Sequence, residues 1–213
     1  MKIDVNKSIL EPNDRLALEN KKRLEAKGLI AVNVMASPGA GKTSLILKLL
    51  AGLPKTLKAG VIEGDVASSI DTKKIKAAGW PAVQINTGGG CHLDAIMVAG
   101  ALEKLKLEGP GVIFIENIGN LICPVEFALG EALRLVVASV PEGDDKPIKY
   151  PGIFADADLV VLNKSDLKPH VEFSLEKFLA GVKLVNQKAP VFEVSCKSGA
   201  DLKEQVAFLL ERI

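Results

Sequence analysis

Seven short apolar runs limit what this chain can fold into: 30–37 IAVNVMAS, 59–65 AGVIEGD, 81–87 PAVQINT, 111–117 GVIFIEN, 133–140 LRLVVASV, 158–166 DLVVLNKSD and 189–195 APVFEVS. They are rich in Val and Ile and nearly continuous in hydrophobicity, the pattern of strands buried on both faces. Between them lie TSLILKLLAGL, HLDAIMVAGALEKLKL, VEFSLEKFLAGVKLVNQ and ADLKEQVAFLLERI, with apolar residues at three- and four-residue intervals, as in helices that bury one face. The alternation predicts an α/β fold, a mostly parallel central sheet between two layers of helices.

Before the first run, residues 11–28, EPNDRLALENKKRLEAKG, predict a charged amphipathic helix opened by Pro12 and Asn13 and stopped by Gly28. It is expected to be a docking appendage over residues 1–29, with residues 30–213 forming one domain. Residues 141–157, PEGDDKPIKYPGIFADA, have turn chemistry and little periodicity, and predict a surface loop. The 27 basic and 26 acidic residues nearly cancel, so no global positive field would recruit nucleic acid or an acidic membrane. No apolar run reaches the 18 or so residues of a membrane span. The start MKIDVNKS lacks the apolar core of a signal peptide, and the three cysteines are odd in number. These features predict a cytoplasmic protein with reduced thiols.

ASPGAGKTS, residues 36–44, lies between a predicted strand and a predicted helix, the context of a phosphate-binding loop. There, backbone N–H groups from Gly39 through Ser44, Ala40 and Gly41 included, point at phosphate oxygens, and the helix N-terminus favours their charge. Lys42 is expected to face solvent and reach the β- and γ-phosphates; Thr43 is expected to hold Mg²⁺ through its hydroxyl. Ala36 stands where the motif usually begins with glycine. Asp65 and Glu116 end two predicted strands, where an open α/β sheet presents carboxylates to a ligand and its Mg²⁺. Glu116 and Gly119 have the spacing of a DxxG switch, with Glu for Asp, so Gly119 would offer its N–H to a γ-phosphate.

NKSD, residues 163–166, fits the guanine motif NKxD. Asp166 can accept from guanine N1–H and its exocyclic amine, a donor pair that adenine lacks. Lys164 would lie over the purine and Asn163 would brace the loop. SCKSG, residues 195–199, resembles the loop whose backbone donates to guanine O6, which nominates Ser195, Cys196 and Lys197. The expected ligands are GTP and GDP, and the expected reaction is hydrolysis of GTP to GDP and phosphate.

GGGCHLDA, residues 88–95, sets Cys91 beside His92 in a chain with only two histidines. Alone, the pair reads as a small thiol and a helix-capping polar residue. Cys123 in ENIGNLICP changes that, because thiolate, imidazole and thiolate suit Zn²⁺ or Ni²⁺ and leave a coordination position open. Cys123 lies four residues after Gly119, at most about 14 Å of extended chain, so a metal there would feel the γ-phosphate. Asp94 reads equally as a partner of His92 or as an N-terminal helix charge. Cys196 reads as a packing residue, His170 as a solvated loop histidine and Trp80 as packing at the sheet edge.

ASPGAGKTS, GDVASSIDT, INTGGGCHLDA, IENIGNLICP, NKSD and SCKSG, in this order, resemble the HypB family of hydrogenase nickel-insertion GTPases over about residues 30 to 210. The resemblance implies a SIMIBI-class P-loop NTPase that forms a GTP-dependent homodimer. It implies nickel or zinc at Cys91, His92 and Cys123 and delivery to the [NiFe]-hydrogenase large-subunit precursor, with a HypA-type zinc metallochaperone as partner. Residues 1–30 hold no His or Cys, unlike the nickel-storing N-termini of some members. Ile96 and Gly100 stand where some archaeal members add histidines. Three other readings are a urease accessory GTPase, a small-molecule kinase and a zinc-stapled regulatory dimer. The first is opposed by Val125, where that family's Cys-Pro-His motif has histidine, and the second by NKSD.

Overall fold

The computed structural model describes residues 5–198 and 202–213, the first five of these as backbone only. All seven apolar runs are strands: β1 Leu29–Ala36, β2 Lys58–Asp65, β3 Ala82–Asn86, β4 Gly111–Glu116, β5 Leu133–Ser139, β6 Leu159–Asn163 and β7 Val191–Glu193. They form one sheet in the order β3-β2-β4-β1-β5-β6-β7, and every pairing is parallel. β1 lies between β4 and β5, where the strand order reverses, so the loop leaving its C-terminal end opens at the crevice of the sheet.

Strand alternation divides the core between two faces. Val32, Val34 and Ala36 pack with Leu45, Ile46 and Leu49 of α2 (Lys42–Gly52), with Ile75 of α3 (Ile70–Ala77), and with Val206 and Leu209 of α8 (Lys203–Leu210). On the other face, Ile62, Ile113 and Ile115 meet Val98 and Ala101 of α4 (Ala95–Leu105), together with Leu24 of α1 (Val5–Ala26). Further along that face, Met35, Val136 and Val160 meet Phe154 and Phe178. α3 lies in GDVASSIDTKKIKA, a segment without a long apolar period, and its helix was not anticipated.

Two expectations need correction. The N-terminal helix starts at Val5 and runs through Pro12 rather than opening there. It is not an appendage: Leu24 joins the core beneath α4, and Asn13 and Asn20 are buried against the body of the protein. Its end is as expected, with Gly28 left-handed at φ +70°. Residues 141–157 are not a plain surface loop. They form two short helices, α5 Lys146–Lys149 and α6 Pro151–Ala155, that press Ile153 and Phe154 into the core. The Phe154 ring meets Phe178 of α7 (Leu175–Val185) edge to face at 6.3 Å. Full burial of such a ring contributes about 1.5–3 kcal/mol toward ordering a segment whose Gly and Pro residues read as turn.

Candidate nucleotide and metal site

The loop after β1 turns through Gly39 (φ +77°) and Gly41 (φ +101°) before α2 begins at Lys42. A Cβ on Gly41 would collide with Asn163 Nδ2, and with the left-handed φ this reserves the position for glycine. The Asn163 amide joins three loops. Its Nδ2 donates to Ala40 O at 2.9 Å, and its Oδ1 accepts from Lys164 N at 2.8 Å and Cys196 N at 3.2 Å. Lys164 is itself left-handed at φ +59°, and its ammonium donates to Gly39 O at 2.6 Å. Ser195 Oγ donates to Asp166 Oδ1 at 2.6 Å. Lys197 is exposed on the same turn, and Gly199 lies outside the described residues. Cys196 is half-buried against the core, and burial pushes its thiol pKa up, as suits a packing residue.

Lys42 is not solvent-facing. It is 9% exposed, and that burial lowers its ammonium pKa despite the opposing charges of Glu116, Asp71, Glu142 and Glu63. Pro38, Gly39, Lys42, Glu63, Asp65, Asp71, Glu116 and Gly119 line a cleft of about 310 Å³. A second hollow of about 250 Å³ reaches Thr43 and Ser44. Glu63 and Glu116 are direct partners across β2 and β4. Burial raises the pKa of each to about 7; the charge of Glu63 adds to the rise at Glu116, and those of Asp65 and Asp71 add to the rise at Glu63. For Asp65 burial acts upward too, but N–H groups of Ser68, Ala67 and Val66 outweigh it and hold this carboxyl below its usual range. Gly119 packs on the phosphate loop so closely that a Cβ would stand 3.0 Å from Pro38 Cα.

The oxygens here fit Mg²⁺. Thr43 Oγ1 donates to Glu116 Oε1 at 2.8 Å, while Glu116 Oε2 is buried with no partner. An orphaned buried carboxylate oxygen beside a hydroxyl and further acids is a donor set that a hard cation completes. Glu63, Asp65 and Asp71 bring one ligand atom each within 4.8 Å of one another.

At the neighbouring strand end, Gly88 (φ +63°) and Gly89 (φ +115°) turn the chain. Leu93 then inserts so tightly that a Cβ on Gly64 would meet it at 2.8 Å. Cys91 is exposed; Cys123 is half-buried. The neighbouring Cys123 pushes the Cys91 thiol pKa up. Cys91 Sγ lies 3.6 Å from His92 Nδ1, and the His92 ring stacks on Phe127 with 3.8 Å between centroids. The three expected ligands are therefore neighbours, but their ligand atoms do not all come within 4.8 Å of one another. Asp94 is the N-cap of α4, accepting from Met97 N at 2.8 Å, which places it in the helix-charge role. His170 is exposed, and Trp80 is partly buried against the core beside the edge strand β3.

The CobW/HypB/UreG nucleotide-binding domain family matches residues 30–193. The hydrogenase maturation factor HypB of Azotobacter vinelandii is 49% identical over 96% of this chain and 68% of its own. The chain belongs to the HypB family. A crystal structure of HypB from Helicobacter pylori in complex with nickel superposes with a TM-score of 0.89 at 40% identity, covering 94% of each chain. The curated Helicobacter pylori protein is named a hydrogenase/urease maturation factor. The signal recognition particle receptor FtsY of Elizabethkingia anophelis shares the fold at TM-score 0.54 and 16% identity, over 85% of this chain and 65% of that one. That likeness is one of fold alone, a parallel sheet flanked by helices.

Within this HypB-family frame, several site residues escaped the sequence reading. Glu63 and Asp71 sit inside quoted stretches, yet strand-end position alone singled out Asp65. Asn33 and Asn117 are fully buried, and Asn117 Nδ2 donates to Asn33 Oδ1 at 3.2 Å. Asn117 Oδ1 accepts from Ile118 N at 2.9 Å and from Leu93 N at 3.2 Å. The available signal was an asparagine inside the apolar run IAVNVMAS, since a polar side chain in a strand buried on both faces must find a partner. Among the described residues, no helix is long and apolar enough to cross a membrane.

Proposed function

We propose that this chain is a GTP-hydrolysing metal-delivery protein that carries nickel, or zinc in its place, at Cys91, His92 and Cys123 and supports nickel insertion into [NiFe]-hydrogenase. The observation that carries this reading is the Asn117 side chain. It lies two residues before Gly119 at the phosphate cleft and holds Leu93 N, next to His92, at 3.2 Å. A change at the γ-phosphate would therefore reach the metal-bearing segment through one buried amide. The nickel complex of the Helicobacter pylori relative supports nickel as cargo.

In this reading the Gly39–Ser44 backbone cradles the phosphates and Lys42 neutralises charge on the β- and γ-phosphates. Thr43 and Glu116, with Asp65 nearby, would hold Mg²⁺, which supplies further charge neutralisation at the phosphates when bound. Asp65 and Asp71 line the same cleft and can order an attacking water as hydrogen-bond acceptors. Asp166 selects guanine, with Ser195, Cys196 and Lys197 closing its O6 side.

Val66, Ile70, Ile96 and Ile122 are 45%, 62%, 69% and 66% exposed on segments that border the cleft or the cysteines. Such exposed apolar groups support a GTP-dependent homodimer that covers them. The partners in this scheme are a HypA-type zinc metallochaperone and the hydrogenase large-subunit precursor. The name of the Helicobacter pylori relative favours urease as a second recipient.

Phosphate release from GTP and from ATP, beside Ni²⁺ binding by wild type, Cys91→Ala and Cys123→Ala, tests the reading. GTP-selective turnover with metal binding lost in both variants is expected. ATP turnover at the GTP rate, or unchanged Ni²⁺ binding in the variants, would overturn it.

A further inference from the structure

Asn13 and Asn20 are seven residues apart on α1, two turns and hence on one face, and both are buried. Asn13 Oδ1 accepts from Ala95 N at 2.9 Å, while its Nδ2 donates to Ala128 O at 2.9 Å. Asn20 Nδ2 donates to Ala95 O at 2.9 Å and to Leu129 O at 3.2 Å. Ala95 follows His92 by three residues; Ala128 and Leu129 follow Cys123 by five and six. Each asparagine thus bonds both segments that carry the three ligands.

Helix formation does not account for these amides. Asparagine is a weak helix former, and a buried amide is unfavourable unless its hydrogen bonds are made, as they are at both Nδ2 groups and at Asn13 Oδ1 but not at Asn20 Oδ1. What they add is a fixed separation between two segments far apart in sequence. The fit is close: a Cβ on Gly130 would stand 2.7 Å from Ala17 O and from Asn20 Cβ. The held loop also carries Phe127, which stacks on His92, and Val125, whose carbonyl accepts from the Arg134 guanidinium at 3.3 Å.

We infer that Asn13 and Asn20 are positioning residues that make α1 a clamp setting the distance from Cys91 and His92 to Cys123. The inference rests on the metal-delivery reading of those three ligands. It gives the N-terminal helix a role in tuning metal affinity from outside the coordination sphere.

Asn13→Asp is the selective probe, because the carboxylate still accepts from Ala95 N but no longer donates to Ala128 O. Asn20→Ala removes both of its donations, and Leu18→Ala, on an exposed position of the same helix, controls for general loosening. The full chain is treated with a short thiol-to-thiol crosslinker and the Cys91–Cys123 product is quantified by peptide mass; Ni²⁺ and GDP affinities are measured in parallel. Asn13→Asp and Asn20→Ala are expected to slow crosslinking several-fold and weaken Ni²⁺ binding about tenfold. GDP affinity should stay within about twofold, and Leu18→Ala should match wild type. Wild-type crosslinking in folded Asn13→Asp protein, or GDP affinity falling in step with Ni²⁺ affinity, would overturn the clamp. Slowed crosslinking in a chain whose Ni²⁺ binding ignores Cys91→Ala and Cys123→Ala would support the clamp and sink the metal reading alone.

Discussion

The two halves of the crevice are finished to different degrees. On the base side, Asn163 ties the phosphate loop, NKSD and the Ser195 loop together, and Asp166 is already oriented by Ser195. On the metal side, Glu116 keeps an unpartnered buried oxygen, two adjacent glutamates are raised to about 7, and Cys91 is exposed beside ligands that do not converge. The base side is held by its own hydrogen bonds, so the proposed binding of a base there would require little rearrangement. The metal side holds groups whose best arrangement depends on what arrives. In the proposed function, selectivity for the nucleotide and response to it would thereby fall on opposite sides of β1.

The sharpest way to break this contrast is at the residue between the halves. Lys42→Ala is expected to lower GTP turnover on the order of 100-fold or more, since it removes the buried cation of the proposed phosphate loop. Phosphate release at the wild-type rate would contradict the site. Next in size, Asp166→Asn should shift preference from GTP toward XTP by about 100-fold, because an amide can donate to the xanthine C2 oxygen and cannot accept both guanine hydrogens. Competition binding reads this directly, and an unchanged GTP preference would remove NKSD from the base site. Gly119→Ala should act on one nucleotide only. Its Cβ at 3.0 Å from Pro38 would weaken a GTP analogue about tenfold with little change for GDP. Equal losses for both would separate Gly119 from the γ-phosphate.

The smallest effect is on pH dependence. Glu63 and Glu116 have folded pKa values near 7 against an ordinary 4.5, so between those limits the folded chain binds more protons than the unfolded one. Stability of the nucleotide-free protein should therefore fall as pH rises from about 4.5 to about 7 and level off above. Mg²⁺ binding requires the charged carboxylates, so Mg²⁺-nucleotide affinity should rise through the same window. Glu63→Gln should shallow both slopes; thermal melts and titrations across pH 5.5–8 would show it, and parallel slopes in the variant would exclude Glu63.

What was legible in the sequence follows from the same contrast. The seven strands and the base-side motifs could be read because apolar continuity and a short motif are local properties. Asn163 braces its loop as the motif implied, while Lys164 bonds Gly39 O and Asp166 accepts from Ser195. The N-terminal helix was read as an appendage because its charges dominate, whereas its role lies in two asparagines whose partners are 75 to 115 residues away. Residues 141–157 read as loop because Gly and Pro dominate locally, while Phe154 orders them through a long-range contact. Asn117 was hidden for a similar reason, since nothing in ENIGN announces a partner at Leu93. On the metal side the sequence could nominate Cys91, His92 and Cys123, but not their separation, which depends on loops held from elsewhere.

The central claim is that nucleotide state and metal binding are coupled through the segment from Asn117 to Cys123. The direct measurement is calorimetric titration of Ni²⁺ into protein saturated with GDP and into protein saturated with a non-hydrolysable GTP analogue. The account predicts affinities that differ by roughly 5- to 150-fold, a coupling of about 1–3 kcal/mol, with the reciprocal effect of Ni²⁺ on nucleotide affinity equal in size. Equal Ni²⁺ affinities in the two nucleotide states would contradict it.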